Sequence, residues 1–335
     1  MTGWGIIGCG DVTEVKSGPA LQQATDSSLV AVMRRDAARA ADYARRHGVP
    51  RWYDDSRALI EDPGVDIVYV ATPPSTHAQY AIAALRAGKP VYVEKPMART
   101  SDECEAMLAA SRAAGLPLFV AYYRRALPRF LKVRELLLAG AIGEPRRVRT
   151  VLHRVLDPAW ASAPELPWRV RPEVSGGGLF VDLGSHTLDL LDFLLGPLEA
   201  VDGQARSVSG AYPAEDQVRM RFACGGVAGD GEWDFCSDAR RDLVEIEGDA
   251  GRLRFASFDE QPVVLENAAG RRRFDIAHPP HIQRPLVETV LAQLRGQGAC
   301  PSTGESALRT SRVIDAVLRD YRNAASAAGR SGALG

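Results

Sequence analysis

Apolar positions in the first 120 residues fall into two alternating kinds of segment. Short continuous runs, Gly5–Ile7, Leu29–Met33, Val65–Val70, Val91–Val93 and Leu118–Val120, read as strands covered on both faces. Between them Asp36–His47, Thr76–Ala87 and Asp102–Ala114 carry helical spacing. Asp36, Ser75 and Ser101 stand where N-caps would, and Gly48, Gly88 and Gly115 where helices stop. This alternation predicts an α/β domain with a parallel sheet. Beyond Tyr123 the pattern changes. A basic amphipathic helix, Leu127–Ala139, is followed by a strongly apolar one within Gly178–Leu195. Ala200 to Asp275 shows β signal only, with alternation at Gln217–Ala223, Val227–Phe235, Leu243–Glu247, Arg252–Phe255 and Val263–Glu266. Helices His281–Arg295 and Glu305–Asn323 close the pattern. The expected domains are 1–122, an α/β unit, and 123–325, an α+β unit on an antiparallel sheet, with 326–335 a flexible tail.

Composition narrows the function classes. The length of 335 residues suits two domains. Lys+Arg is 41 against Asp+Glu 42, a net charge of −1, which speaks against a dedicated nucleic-acid or anionic-membrane binder. No apolar run is long enough to span a bilayer, and the N-terminus reads as a strand rather than a leader. Five scattered cysteines match neither a disulfide framework nor a zinc spacing, so a reduced, cytoplasmic protein is expected. The cations of Arg124–Arg134 read as a solvated face, the alternative being that they line a cleft and suit an anionic substrate. Only four cations are lysines, Lys16, Lys89, Lys95 and Lys132, which makes each worth a question.

Five motifs carry candidate chemistry. Gly8-Cys9-Gly10-Asp11-Val12 follows the first strand and opens a helix. Gly8 suits a tight turn and Gly10 a close approach to a pyrophosphate, although a plain Gly-rich turn would look the same. At the end of the second strand stand Met33, Arg34 and Arg35, where an acid would bind the ribose hydroxyls of NAD. Two arginines there suit the 2′-phosphate of NADP, or are simply solvated. Thr72, Pro73 and His77 lie just past the Val65–Val70 strand, where open α/β sheets bind ligands. Alone, His77 is more often a capping or surface residue than a ligand contact. Glu94-Lys95-Pro96 ends the next strand, where an acid–base pair can tune a lysine beside a cofactor. Finally Asp182, His186 and Asp189, spaced i, i+4, i+7 after Gly176-Gly177-Gly178, share one face of an apolar helix. That stripe reads as a tunable acid–base or as a satisfied core histidine. A metal site finds no third ligand at a recognisable spacing, and none is expected.

With these residues in hand, the chain resembles the glucose–fructose oxidoreductase/inositol dehydrogenase/rhizopine-catabolism (Gfo/Idh/MocA) family from Gly5 to about Asn323. Glu94-Lys95-Pro96 and the Gly-rich element leading to Asp182-x-Gly184-x-His186 carry the likeness. The resemblance implies a Rossmann domain followed by a large open antiparallel sheet that carries a homodimer or homotetramer interface. It implies Lys95 on the substrate hydroxyl and nicotinamide ribose, Asp182 holding substrate and His186 as general acid–base. Tyr123, Trp168 and Arg169 would line the substrate pocket. Gly8, Cys9, Gly10, Asp11, Val12, Arg34, Arg35, Thr72, Pro73, His77, Glu94 and Lys95 would face the cofactor. The resulting expectation is an oxidoreductase favouring NADP(H) over NAD(H), moving a hydride to or from a carbohydrate-like hydroxyl or carbonyl. A trans-dihydrodiol or imine reductase, for which Tyr at 186 would have spoken, and a ligand-sensing regulator are the alternatives.

Overall fold

A computed structural model describes residues 1–332, excepting the side chains of 161, 162 and 326–332. The chain divides into two compact units, residues 1–127 with 278–308, and residues 128–277 with 309 onward.

In the first unit the continuous apolar runs form a six-stranded, all-parallel sheet. Its strands are β1 (Thr2–Ile7), β2 (Ser27–Met33), β3 (Arg51–Tyr53), β4 (Ile67–Val70), β5 (Val91–Val93) and β6 (Leu118–Val120), in the order β3-β2-β1-β4-β5-β6. The order reverses between β1 and β4, the place where open sheets leave a crevice beyond the strand ends. Helices α1 (Asp11–Val15), α2 (Gly18–Gln23), α3 (Ala37–His47), α4 (Ser56–Glu61), α5 (His77–Arg86) and α6 (Ser101–Ala114) make the crossovers. Asp36 caps α3 as its spacing suggests, accepting the Arg39 N–H at 3.1 Å. The expected cap Ser101 gives way to Thr100, whose hydroxyl accepts from Glu103 N. Ser75 does not cap either, because a 3₁₀ turn over Pro74–Thr76 precedes α5. The cations of the Arg124–Arg134 segment are not all on a solvated face: Arg124, Arg125 and Arg129 are buried. In the second unit, the Arg129 guanidinium donates to the carbonyls of Ala256 and Asp259.

The second unit is built on an eight-stranded sheet. Helix α7 (Pro128–Leu138) leads to β7 (Pro145–Val155), and α8 (Pro172–Ser175) to α9 (Ser185–Leu195). The strands β8 (Leu198–Arg206), β9 (Gln217–Cys224), β10 (Val227–Ser237), β11 (Arg241–Gly248), β12 (Gly251–Phe255), β13 (Val263–Asn267) and β14 (Gly270–Phe274) follow. Their order is β14-β13-β12-β11-β7-β10-β9-β8. The sheet is antiparallel except at its centre, where β7 and β10 run parallel. Period-two alternation buries one face, including Val218, Met220, Phe222, Trp233, Phe235, Val244 and Ile246. The other face carries cross-strand ion pairs such as Arg147–Asp230 at 2.7 Å and Arg219–Glu232 at 3.1 Å.

The chain then returns. Residues 278–308, expected within the second domain, pack into the first unit. Helix α10 (Arg284–Leu294) adds Leu286, Val287, Val290 and Leu291 to the same core as Trp4, Ile6, Tyr69 and Phe119. Helix α11 (Gly304–Gly332) runs past the expected stop at Asn323. Of the expected tail, residues 333–335 lie outside the described residues. No described helix is long and apolar enough to cross a membrane.

Candidate functional site

The Gly-rich turn leaves β1 at the switch point. Gly8 has φ +92°, and a Cβ there would sit 2.6 Å from the Thr72 methyl and 3.0 Å from its backbone nitrogen. Only glycine fits that backbone beside the β4 loop. The N–H groups of Gly8 and Cys9 donate to Met33 O at 2.9 and 3.2 Å, tying the turn to the end of β2. Gly10 opens α1 with no side chain above the helix start. Asp11 is exposed and Val12 half-buried. This is a cradle that a dinucleotide pyrophosphate fits. Arg34 reaches the turn, its Nη1 donating to Cys9 O at 3.2 Å, while Arg35 is exposed. Burial pushes the Cys9 thiol up to about 11, so this residue packs rather than reacts.

At the end of β5 the buried Glu94 carboxylate is held from three sides. Its Oε1 accepts from Tyr69 OH and Gln283 Nε2, both at 2.7 Å, and its Oε2 from the Lys95 N–H at 3.1 Å. Gln283 in turn accepts from Tyr92 OH at 3.0 Å. The backbone of Lys95 is therefore fixed by an acid that Tyr69 and Gln283 hold, Gln283 being held in turn by Tyr92. The Lys95–Pro96 bond is cis. His77 proves to be a clamp. It is wholly buried, with Nε2 2.7 Å from Thr72 O and Nδ1 3.0 Å from Pro96 O, so it joins two loops and offers a cofactor no surface. Burial holds its imidazole pKa below the usual value. Thr72 is half-buried, Pro73 exposed, and Tyr123 half-buried under the Arg124 guanidinium, 5.1 Å from its ring centre.

In the second unit Gly176–Gly178 feed a π-helical turn, Phe180–Gly184, before α9 begins. The expected uninterrupted α-helical stripe is thus broken: Asp182 lies on the π turn, and His186 and Asp189 on α9. Such turns recur at functional sites because they re-aim side chains. Gly184 is required here, since a Cβ would lie 2.5 Å from the Phe180 ring. Arg169 Nε stands 3.3 Å from Asp182 Oδ2, and its guanidinium lies over the Trp168 ring at 4.5 Å. The structure thereby brings together Trp168, Arg169 and Asp182. The buried His186 ring meets Phe258 edge-on, with ring centres 5.7 Å apart. Phe258 sits on a loop held by the Asp242 carboxylate, which accepts the N–H groups of Ser257, Phe258 and Asp259 at 2.8, 2.7 and 2.9 Å. Asp189 is also buried, and Asp192 pairs with Arg309 through two 2.7 Å bonds. Among the described residues no three His, Cys, Asp or Glu side chains are grouped to hold a metal ion.

Residues 2–122 match the oxidoreductase family with an NAD-binding Rossmann fold, and 130–254 the GFO/IDH/MocA C-terminal domain. Oxidoreductase P35 of Formosa agariphila is 35% identical over 93% of this chain and 97% of its own. The chain belongs to the GFO/IDH/MocA family. It is therefore a nicotinamide-dependent dehydrogenase or reductase. The 1,5-anhydro-D-fructose reductase of Ensifer adhaerens is 31% identical over 91% of this chain and 92% of its own. Among solved structures, an aldose–aldose oxidoreductase from Caulobacter crescentus complexed with glycerol superposes with TM-score 0.84 at 26% identity, covering 96% of this chain and 98% of that one.

Sequence reasoning missed Gln283, Tyr69, Phe258 and Asp242. Gln283 carries no local signal, because it reaches Glu94 from a segment 189 residues away. The contacts of Asp242 and Phe258 exist only once β11 pairs with β12 and the loop after β12 closes back on β11.

Proposed function

We propose that this GFO/IDH/MocA enzyme is an NADP(H)-preferring oxidoreductase acting on a sugar, polyol or cyclitol hydroxyl, or on the matching carbonyl. The observation that carries the reading is Arg34 at the dinucleotide turn, its guanidinium already on Cys9 O where NAD-using Rossmann units place an acid. The likeness to 1,5-anhydro-D-fructose reductase supports the carbohydrate class.

A bound nicotinamide supplies or accepts a hydride at its C4. Gly8 and Gly10 leave room for the pyrophosphate, and Arg34 with Arg35 pairs the 2′-phosphate. Asp182, paired with Arg169 at 3.3 Å, accepts hydrogen bonds from substrate hydroxyls and orients them. His186 takes the hydroxyl proton during oxidation and returns it during reduction. The Lys95 ammonium, on a backbone fixed by Glu94, stabilises charge developing on the reacting oxygen.

Calorimetric titration with NADPH and NADH tests the cofactor half; tighter NADPH binding is expected, and equal or reversed affinities refute it. For the chemistry, His186→Ala should bind NADPH normally yet turn over sugars on the order of 10²–10⁴-fold more slowly. Unchanged turnover would remove His186 from its role.

A further inference from the structure

Glu215, in the segment entering β9, is a carboxylate enclosed by protein, with 1% of its surface exposed. Its Oε1 accepts the N–H of Gly178 at 2.8 Å. The carbonyl of that same Gly178 accepts the N–H of Asp182 at 3.3 Å. Two glycines make the approach feasible. A Cβ on Gly177 would lie 3.2 Å from both carboxylate oxygens of Glu215, and one on Gly178 2.4 Å from the Glu215 carbonyl. One buried acid thus grips the backbone one residue pair ahead of the π turn, and the gripped residue bonds directly to the backbone of Asp182.

We propose that Glu215 is a positioning residue: its carboxylate fixes Gly178 and, through Gly178, the turn that aims Asp182, and its protonation loosens that hold. The inference rests on the reading of Asp182 as the group that orients substrate. An ionised carboxylate accepts an N–H bond about twice as strongly as a neutral group, so adding one proton changes the stiffness of the turn.

The surroundings place that proton near neutrality. From α11 come Arg322 and Tyr321, from the preceding loop Tyr212, and from the next position Asp216. Arg322 donates to Asp315 at 2.5 Å and to Gly176 O at 2.8 Å, so its charge serves Asp315 first. Asp216 is itself occupied by the N–H groups of Val208 and Ser209, at 2.7 and 2.8 Å. Burial therefore outweighs the N–H bonds from Gly178, Val181 and Glu215 itself and the more distant Arg322, and pushes the Glu215 carboxyl up to about 7.

The test pairs amide hydrogen exchange with kinetics in wild type and Glu215→Gln. Glutamine keeps an acceptor oxygen for Gly178 and cannot titrate. After correction for intrinsic exchange, protection of residues 176–182 in the wild type should fall several-fold as pH drops through about 7 and stay level in the variant. With the sugar substrate, the wild-type kcat/KM should show an ionisation near 7, expressed mainly in KM, that the variant lacks. Equal protection profiles in the two proteins overturn the clamp. A pH-dependent clamp in a protein whose KM for sugar does not follow it overturns the role given to Asp182 and not the clamp. A Gly178→Ala variant provides the second measure: it should lose the protection at every pH while NADPH affinity stays within about twofold.

Discussion

Replacing Asp242 by alanine should destabilise the second unit by about 4 kcal/mol, a figure assembled from three hydrogen bonds of unequal worth. The carboxylate is 1% exposed and accepts the N–H groups of Ser257, Phe258 and Asp259 within 2.9 Å. Bonds to a charged acceptor are worth about 1.5–3 kcal/mol each when removed singly. They do not sum, because Phe258 and Asp259 are half-exposed and their N–H groups regain water. Ser257 is 3% exposed and its N–H has no such recourse. Counting about 2 kcal/mol for Ser257 and about 1 for each of the others gives the total. Arg154, 3.8 Å from Asp242 and 3.7 Å from Asp259, also loses one of two carboxylates. Asparagine retains one acceptor oxygen and should cost about half as much. Urea unfolding at pH 7, followed by circular dichroism, measures both variants. Because Phe258 packs edge-on to His186, Asp242→Ala should also lower turnover in the folded enzyme. A loss below about 1 kcal/mol with unchanged turnover would refute the view that this carboxylate builds the loop.

Two further outcomes follow from other buried acids. Glu215 rises from 4.5 to about 7 on folding, so the folded state binds the extra proton and stability falls as pH climbs through that window. The penalty is absent below pH 4.5 and complete above pH 7, at about 3 kcal/mol from 1.36 kcal/mol per unit. Glu215→Gln should therefore gain on the wild type by that amount between pH 4.5 and 8 in denaturant titrations, and a constant gap would refute the assignment. Gln283→Leu strips Glu94 of one donor and Tyr92 of its acceptor. It should cost about 2–3 kcal/mol and raise KM for cofactor or substrate as Lys95 loosens, measured by unfolding and initial rates; neutrality in both would refute the network's role.

The parallel sheet was legible because fully buried strands are continuous apolar runs, and β5 and β6 fall within the residues the pattern marks. Strand β3 was not, since Arg51 and Trp52 are exposed at a sheet edge and leave no apolar run. Strand β8 was hidden for a related reason, an edge position with few strong apolar residues, whereas in the central β7 arginines interrupt the buried Val148, Val151 and Leu152 and mask the run. In the candidate site, the spacing of Asp182 and His186 marked them as candidates, although the π turn breaks the single α-helical stripe that spacing implied. That turn was not legible, because a helix that swallows one extra residue keeps the same apolar composition. His77 and the buried arginines misled for one reason: a polar side chain's surroundings depend on which carbonyls fold against it.

The first unit is not a continuous stretch of chain. Its core draws on Trp4 and on Val290, and the segment that supplies α10 comes only after the whole eight-stranded sheet. A nascent chain leaving the ribosome therefore holds an unfinished dinucleotide domain, its apolar face uncovered, until most of the message has been read. Truncating the gene at the apparent domain boundary would yield a fragment lacking the helix that closes its core. In this architecture the cofactor-binding half is completed only after the whole sheet of its companion has been synthesised.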